Sequence, residues 1–151
     1  MRQNQKARPL TEGDREIYLE LCREFYHSSA VLHPVPDVNF EQTFDQIISG
    51  SPFVKGFLLE QSGTIAGYSV LAVTFSQEVG GEVWWLEELY IREEFQGQGL
   101  GGGFIRYLKS VRPQQVRRFR LELEPENANA RRLYEREGFS RLGYDQMVED
   151  F

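Results

Sequence analysis

The chain holds one cysteine, Cys22, so it can form no internal disulfide and fits a reducing, cytoplasmic setting. Cys22 sits among Leu19, Leu21 and Phe25 in a helical apolar pattern, which marks it as buried filler rather than a nucleophile. Histidine is scarce, with two residues, and no H-E-x-x-H pattern occurs, so no metal is expected. No apolar run approaches the ~20 residues that span a bilayer. The polar N-terminus lacks the apolar core of a secretory signal. A membrane partner is therefore not expected. Positive charge is in deficit: the net charge of −6 disfavours a general affinity for nucleic acid. No repeat, low-complexity tract or linker interrupts the chain.

What is present is an ordinary globular composition, 40% hydrophobic and 26% charged over 151 residues. That supports one domain over residues 1–151, flexible only at Met1–Lys6. Apolar periodicity and breakers predict the elements in order. Helices are expected over Asp14–His27, capped by Thr11 or Asp14, and over Asn39–Ile48, with a proline-bearing loop between them. Strands follow at Phe53–Glu60, Ile65–Phe75 and Glu82–Ile91. A helix at Gly99–Val111, a strand at Phe119–Leu123 and a helix at Asn127–Glu137 come next, the last closed by Gly138. Phe139–Val148 reads as a final strand or strand pair. The pattern is α/β, with helices on both faces of one sheet.

The densest signal is Gln96-Gly97-Gln98-Gly99-Leu100-Gly101-Gly102-Gly103, with five glycines in seven positions from Gly97. It joins an apolar strand, Leu89-Tyr90-Ile91, to a helix. Glycines leave backbone N–H groups uncovered, and the helix start adds free donors and a positive dipole end. Such a turn suits a phosphate or pyrophosphate; a tight turn that binds nothing has the same local pattern. From Phe95 to Leu121 there is no acidic residue, against six basic ones: Arg106, Lys109, Arg112, Arg117, Arg118 and Arg120. This places a basic segment inside an acidic protein, as a polyphosphate ligand and a cationic second ligand require; a solvated helix face explains it equally.

Gly97, Gly99 and Gly102 also satisfy G-x-G-x-x-G, with Glu122 about twenty residues on, as in a dinucleotide-binding domain. The turn lies mid-chain after a strand meander, and about fifty residues are too few for the remaining crossovers. A nucleotide-triphosphate loop lacks its Lys-Ser or Lys-Thr pair.

Gln96 to Gly101 instead resembles the Q/R-x-x-G-x-G/A turn of the GNAT superfamily of N-acetyltransferases. Asn127-Ala128-Asn129-Ala130-Arg131-Arg132-Leu133-Tyr134-Glu135-Arg136-Glu137-Gly138-Phe139 is similar to that family's N-x-x-A-x-x-L-Y-E-x-x-G-F pattern. The resemblance spans roughly Arg8 to Val148. It implies the GNAT fold: a central mixed, mostly antiparallel sheet of six to seven strands with about four helices on both faces. It implies acetyl-CoA as donor and transfer to a primary amine by direct attack in a ternary complex. The cofactor-binding residues it implies are Leu89, Tyr90, Ile91, Gln96, Gly97, Gln98, Gly99, Leu100, Gly101, Gly102, Asn127, Ala130 and Tyr134. The turn amides would hold the pyrophosphate, and the pantetheine arm would run along Leu89 to Ile91. Arg131 departs from the apolar residue common at its position and is not placed in the site. A homodimer is expected by analogy with the family.

The chemistry assigns roles. A backbone N–H near Tyr90 or Ile91 serves the oxyanion. Tyr134 matches the family's tyrosine that protonates the leaving thiolate. Glu87, Glu88 or Glu122 serves as base; strand alternation lets only one of Glu87 and Glu88 face the acceptor. The acceptor is a small-molecule or peptide amine, cationic by preference because the protein is acidic. The resemblance implies that its pocket draws on the first two helices and their loop, which here includes Tyr26, His27, Ser28, Ser29, His33, Pro34, Pro36 and Asp37. One of Trp84 and Trp85 is core, and the other borders the acceptor. The alternative is a non-catalytic acyl-CoA-binding or sensing module.

Overall fold

The computed structural model describes residues 1–28 and 33–151. Strands run over β1 (Gln5–Pro9), β2 (Val54–Gln61), β3 (Thr64–Ser76), β4 (Gly81–Ile91) and β5 (Val116–Leu121). Helices run over α1 (Arg15–Tyr26), α2 (Asp37–Ile48), α3 (Leu100–Val111) and α4 (Ala128–Arg136), with single 3-10 turns at Glu12–Asp14 and Glu93–Phe95. The sheet order is β1-β2-β3-β4-β5. The first four strands are antiparallel and β5 is parallel to β4. A parallel neighbour requires a crossover, and α3 is that crossover.

Two apolar layers sandwich the sheet. Tyr18, Leu21 and Cys22 of α1 and Phe40 and Phe44 of α2 cover one face over Leu58, Tyr68 and Val70. Leu100, Phe104 and Leu108 of α3 cover the other over Phe57, Leu59, Leu71, Trp84 and Leu86, with Tyr134 of α4 against the same cluster. The entry to α1 is fixed by Asp14, whose carboxylate accepts from Thr11 N at 2.8 Å, Thr11 Oγ1 at 2.9 Å and Arg8 Nη1 at 2.7 Å. Burial pushes the Cys22 thiol up to about 12, consistent with an inert packing role.

Three expectations are corrected. Among the described residues the sheet has five strands, not six to seven: residues 140–148 form no strand, and Tyr144, Met147 and Val148 are exposed. A groove of about 1,410 Å³ separates this segment from β5. At the other end, Gln5 and Lys6 are not flexible but open β1, paired to Gln61 and Glu60. This strand reads Gln-Lys-Ala-Arg-Pro and has no apolar alternation; its one buried polar side chain, Gln5, is satisfied by Gln61 Oε1 at 3.1 Å. Finally, β5 starts at Val116 rather than Phe119, because Val116 already packs into the core, and it ends at Leu121, where β4 diverges from it.

Candidate active site

The site begins with a parting of strands. The β4–β5 ladder runs from Glu82↔Val116 to Leu86↔Leu121 and stops, while β4 continues to Ile91. At the same level the β3–β4 register jumps from Leu71↔Leu86 to Val70↔Glu88, leaving Glu87 as an extra residue. A bulge bends its strand and reverses the side-chain phase beyond it. Trp84 and Leu86 face α3 before the bulge; Leu89 and Ile91 face it afterwards. Glu88 and Tyr90 turn toward α1.

The same alternation sets the backbone. Arg92 N donates to Ala66 O at 2.9 Å, so residues 88, 90 and 92 aim their backbone groups at β3. Leu89 and Ile91 aim theirs into the opening. Of the two residues expected to supply the oxyanion donor, Ile91 directs its N–H into the opening and Tyr90 directs its N–H at β3; Leu89 shares the direction of Ile91. The Ile91 carbonyl is taken by Gln96 Nε2 at 2.8 Å.

The glycine turn lies at the end of this strand. Gly97 has φ +71° and Gly99 φ +82°, a backbone that side chains resist. Gln98 pins the turn: its Nε2 donates to Glu94 O at 2.9 Å, its carbonyl accepts from Gln5 Nε2 at 3.1 Å, and its Oε1 accepts from Gln61 Nε2. Among the described residues, no backbone N–H from Gly97 to Gly102 has an acceptor. A Cβ on Gly97 would meet nothing within 4 Å, so the turn borders open space at that residue. A row of free donors at a helix N-terminus is the donor set a diphosphate requires. Gly101 and Gly102 serve packing instead: a Cβ there would lie 3.2 Å from Leu133 Cδ2 and 2.7 Å from Glu137 Oε1.

The basic segment serves the scaffold. Arg106 pairs with Glu137, and Lys109 donates to the Glu137 carbonyl. Arg112 donates to Val116 O at 2.9 Å, and Arg118 pairs with Glu78 at 2.9 Å. Arg120 lies 3.9 Å above the Trp85 ring, so the cation on that ring is the chain's own. Trp84 is the core tryptophan, stacked on Phe119.

The bulge separates the two adjacent glutamates. Glu88 is half-buried and accepts from Tyr26 Oη and Tyr68 Oη, each at 2.5 Å. Burial raises its pKa, and the two tyrosine donors oppose that rise. Glu87 is exposed at the opening, where the surrounding protein thins its water and raises its pKa, helped by Glu122 and then Glu88. The charge of Glu87 also helps to raise the pKa of the Tyr26 phenol, behind burial and Glu88. Glu122 is exposed one residue past β5.

On the other face, Tyr134 is half-buried, with its ring 5.7 Å from that of Phe139, and it lines the groove beside Leu121 and Glu122. Burial raises its pKa and keeps the phenol protonated. Its hydroxyl has no protein partner among the described residues. The Asn127 Oδ1 accepts from Ala130 N at 3.1 Å and is committed to capping α4. Ala130 is half-buried in the first turn. Arg131 lines the groove as well. Tyr26 closes α1, Asp37 opens α2 and His33 is exposed between them; Ser29 lies outside the described residues. Among the described residues, no group of three His, Cys, Asp or Glu is placed to hold a metal ion.

A parted strand pair, a donor-rich glycine turn and two flanking carboxylates meet at one end of the sheet, and the sequence matches the acetyltransferase (GNAT) family over residues 15–139. The chain belongs to the GNAT family. No curated protein matches the sequence. Solved structures share the family fold. A possible acetyltransferase from Clostridium difficile 630 superposes with a TM-score of 0.82 at 14% identity, covering 99% of each chain. AAC(6')-Iy in complex with the bisubstrate analogue CoA-S-monomethyl-acetylneamine gives 0.75 at 14% identity, covering 97% of this chain and 98% of the other. Glucosamine-6-phosphate N-acetyltransferase from Arabidopsis thaliana gives 0.67 at 23% identity, covering 99% of both.

Proposed function

We propose that this GNAT protein moves an acetyl group from acetyl-CoA to a primary amine by direct attack while both are bound. The observation that carries the reading is the run of unpartnered N–H groups from Gly97 to Gly102, beside a strand whose last residues pair with β3 but have no ladder partner on the β5 side. The CoA analogue held by the structural neighbour AAC(6')-Iy supports it. The donor contributes a thioester carbonyl and a thiolate leaving group. The turn amides bind its diphosphate, and the Leu89 backbone and the Ile91 N–H, aimed into the opening, align its extended arm.

An N–H of Ile91 or Leu89 aimed at the carbonyl oxygen supplies roughly 3–4 kcal/mol toward the developing charge. Tyr134, protonated and without a protein partner, donates its proton to the leaving sulfur. Glu87 takes the amine proton, directly or through one water. An alkyl amine of pKa ~10.4 is neutral about once in a few thousand at pH 7, a handicap of roughly 4–5 kcal/mol that such a base reduces. Glu122 adds a second negative charge at the opening. The two carboxylates favour a cationic acceptor, small molecule or peptide. Thiol release from acetyl-CoA across an amine panel tests the proposal. Release with one amine class supports catalysis; tight CoA binding without release for any amine would make the protein an acyl-CoA-binding module.

A further inference from the structure

We infer that Arg2, from the segment before β1, is a diphosphate-binding residue of the glycine turn. The inference rests on the acetyl-CoA reading above. Of the six basic residues between Phe95 and Leu121, five are bound elsewhere; Arg106 Nη1 does come within 3.3 Å of a Cβ built on Gly102, but that guanidinium is paired with Glu137. Arg2 also reaches the turn. A Cβ on Gly99 would lie 3.5 Å from Arg2 Nη2 and 3.7 Å from Arg2 Cζ and Nε, so the whole guanidinium lies over the bare Gly99 backbone. Arg2 has no carboxylate partner among the described residues.

Its position is built rather than incidental. Gln5 is buried and holds both partners at once: its Oε1 accepts from Arg2 N at 3.2 Å, and its Nε2 donates to Gln98 O at 3.1 Å. The Gln5 N–H closes the turn onto Arg2 O at 2.9 Å. Met1 packs against the α3 core, and its Cα lies 3.4 Å from a Cβ built on Gly103. A free guanidinium beside a row of free N–H donors matches a diphosphate, which takes charge-assisted, forked hydrogen bonds.

The test is calorimetric binding of CoA and of dephospho-CoA to the intact chain and to Arg2→Gln and Arg2→Lys. Weakening of CoA by about tenfold in Arg2→Gln, partial recovery in Arg2→Lys and the same loss with dephospho-CoA support the inference. A loss confined to CoA assigns Arg2 to the 3′-phosphate and overturns the diphosphate assignment. Unchanged CoA binding in a folded Arg2→Gln overturns the inference while leaving the acetyl-CoA reading intact. Failure of the unaltered chain to bind CoA overturns both. A thermal melt of each variant reports folding separately.

Discussion

At the residue scale, two neighbouring glutamates have opposite fates. Glu88 accepts two tyrosine hydroxyls, whose O–H groups are able to rotate and serve an amide. Glu88→Gln should therefore keep acetyl transfer near its original rate. Glu87→Gln should lose on the order of 10²-fold in kcat/KM and the acid limb of its pH profile. Because the Glu87 pKa is raised, that limb should lie above the ordinary carboxylate range of 4.5. Steady-state kinetics against pH checks both variants; equal losses would sink the assignment. Tyr134→Phe should slow transfer at least about tenfold while CoA binding stays nearly constant, measured by turnover and titration side by side. Asp14 carries a stability prediction. Arg8 foremost, then Thr11, holds its carboxyl at about 2 against an ordinary 3.8, despite its burial. The folded pKa is depressed, so its stabilisation is complete above about pH 4 and is lost as pH falls to about 2. The partly exposed Arg8 limits this to on the order of 1–2 kcal/mol. Acid unfolding of Asp14→Asn should lack that component.

At the element scale, the β4 bulge and the glycine turn do the positioning. The bulge at Glu87 reverses the strand's phase, so Leu89 and Ile91 stay on the α3 face while Glu88 and Tyr90 pass to the α1 face. Strict alternation puts Glu87 and Glu88 on opposite faces, but the bulge falls at Glu87, so alternation does not carry through it to the residues beyond. The turn divides labour among its glycines. Gly97→Ala meets no atom within 4 Å but keeps φ +71°, so it should cost about 1–2 kcal/mol of stability through backbone strain alone. Its methyl would stand beside the open N–H row, and CoA affinity should fall as well. Denaturant melts and calorimetry separate the two effects.

At the scale of the whole molecule, β5 is a sheet edge with an exposed apolar segment standing off it. An unpaired edge is a template for another strand. The segment carries Asp145, Glu149 and Asp150, and the groove it faces carries Arg117, Arg118 and Arg120. We propose that the homodimer expected from the family resemblance forms through this edge. Light scattering should give about twice the 17.6 kDa chain mass, falling to the monomer when residues 140–151 are removed. A monomer in both cases would end that proposal.

Most of the scaffold was legible in the chain. The Gln96–Gly103 turn, the Asn127–Phe139 helix and the periodicity of α1, α2 and α3 are local patterns, and local backbone and burial preferences produce them. They were enough to set the family and to point to the end of the sheet where the candidate site is built. Tertiary structure decided what depends on residues far apart. It gave the polar segment Gln5–Pro9 a strand partner in β2, left residues 140–148 unpaired, and parted β4 from β5 at a one-residue bulge. It spent most of the basic segment on ion pairs, backbone carbonyls and the Trp85 ring, and brought Arg2 to Gly99. The physical reason is that a hydrogen bond or an ion pair is settled by which groups meet in space, and separation along the chain does not encode that meeting.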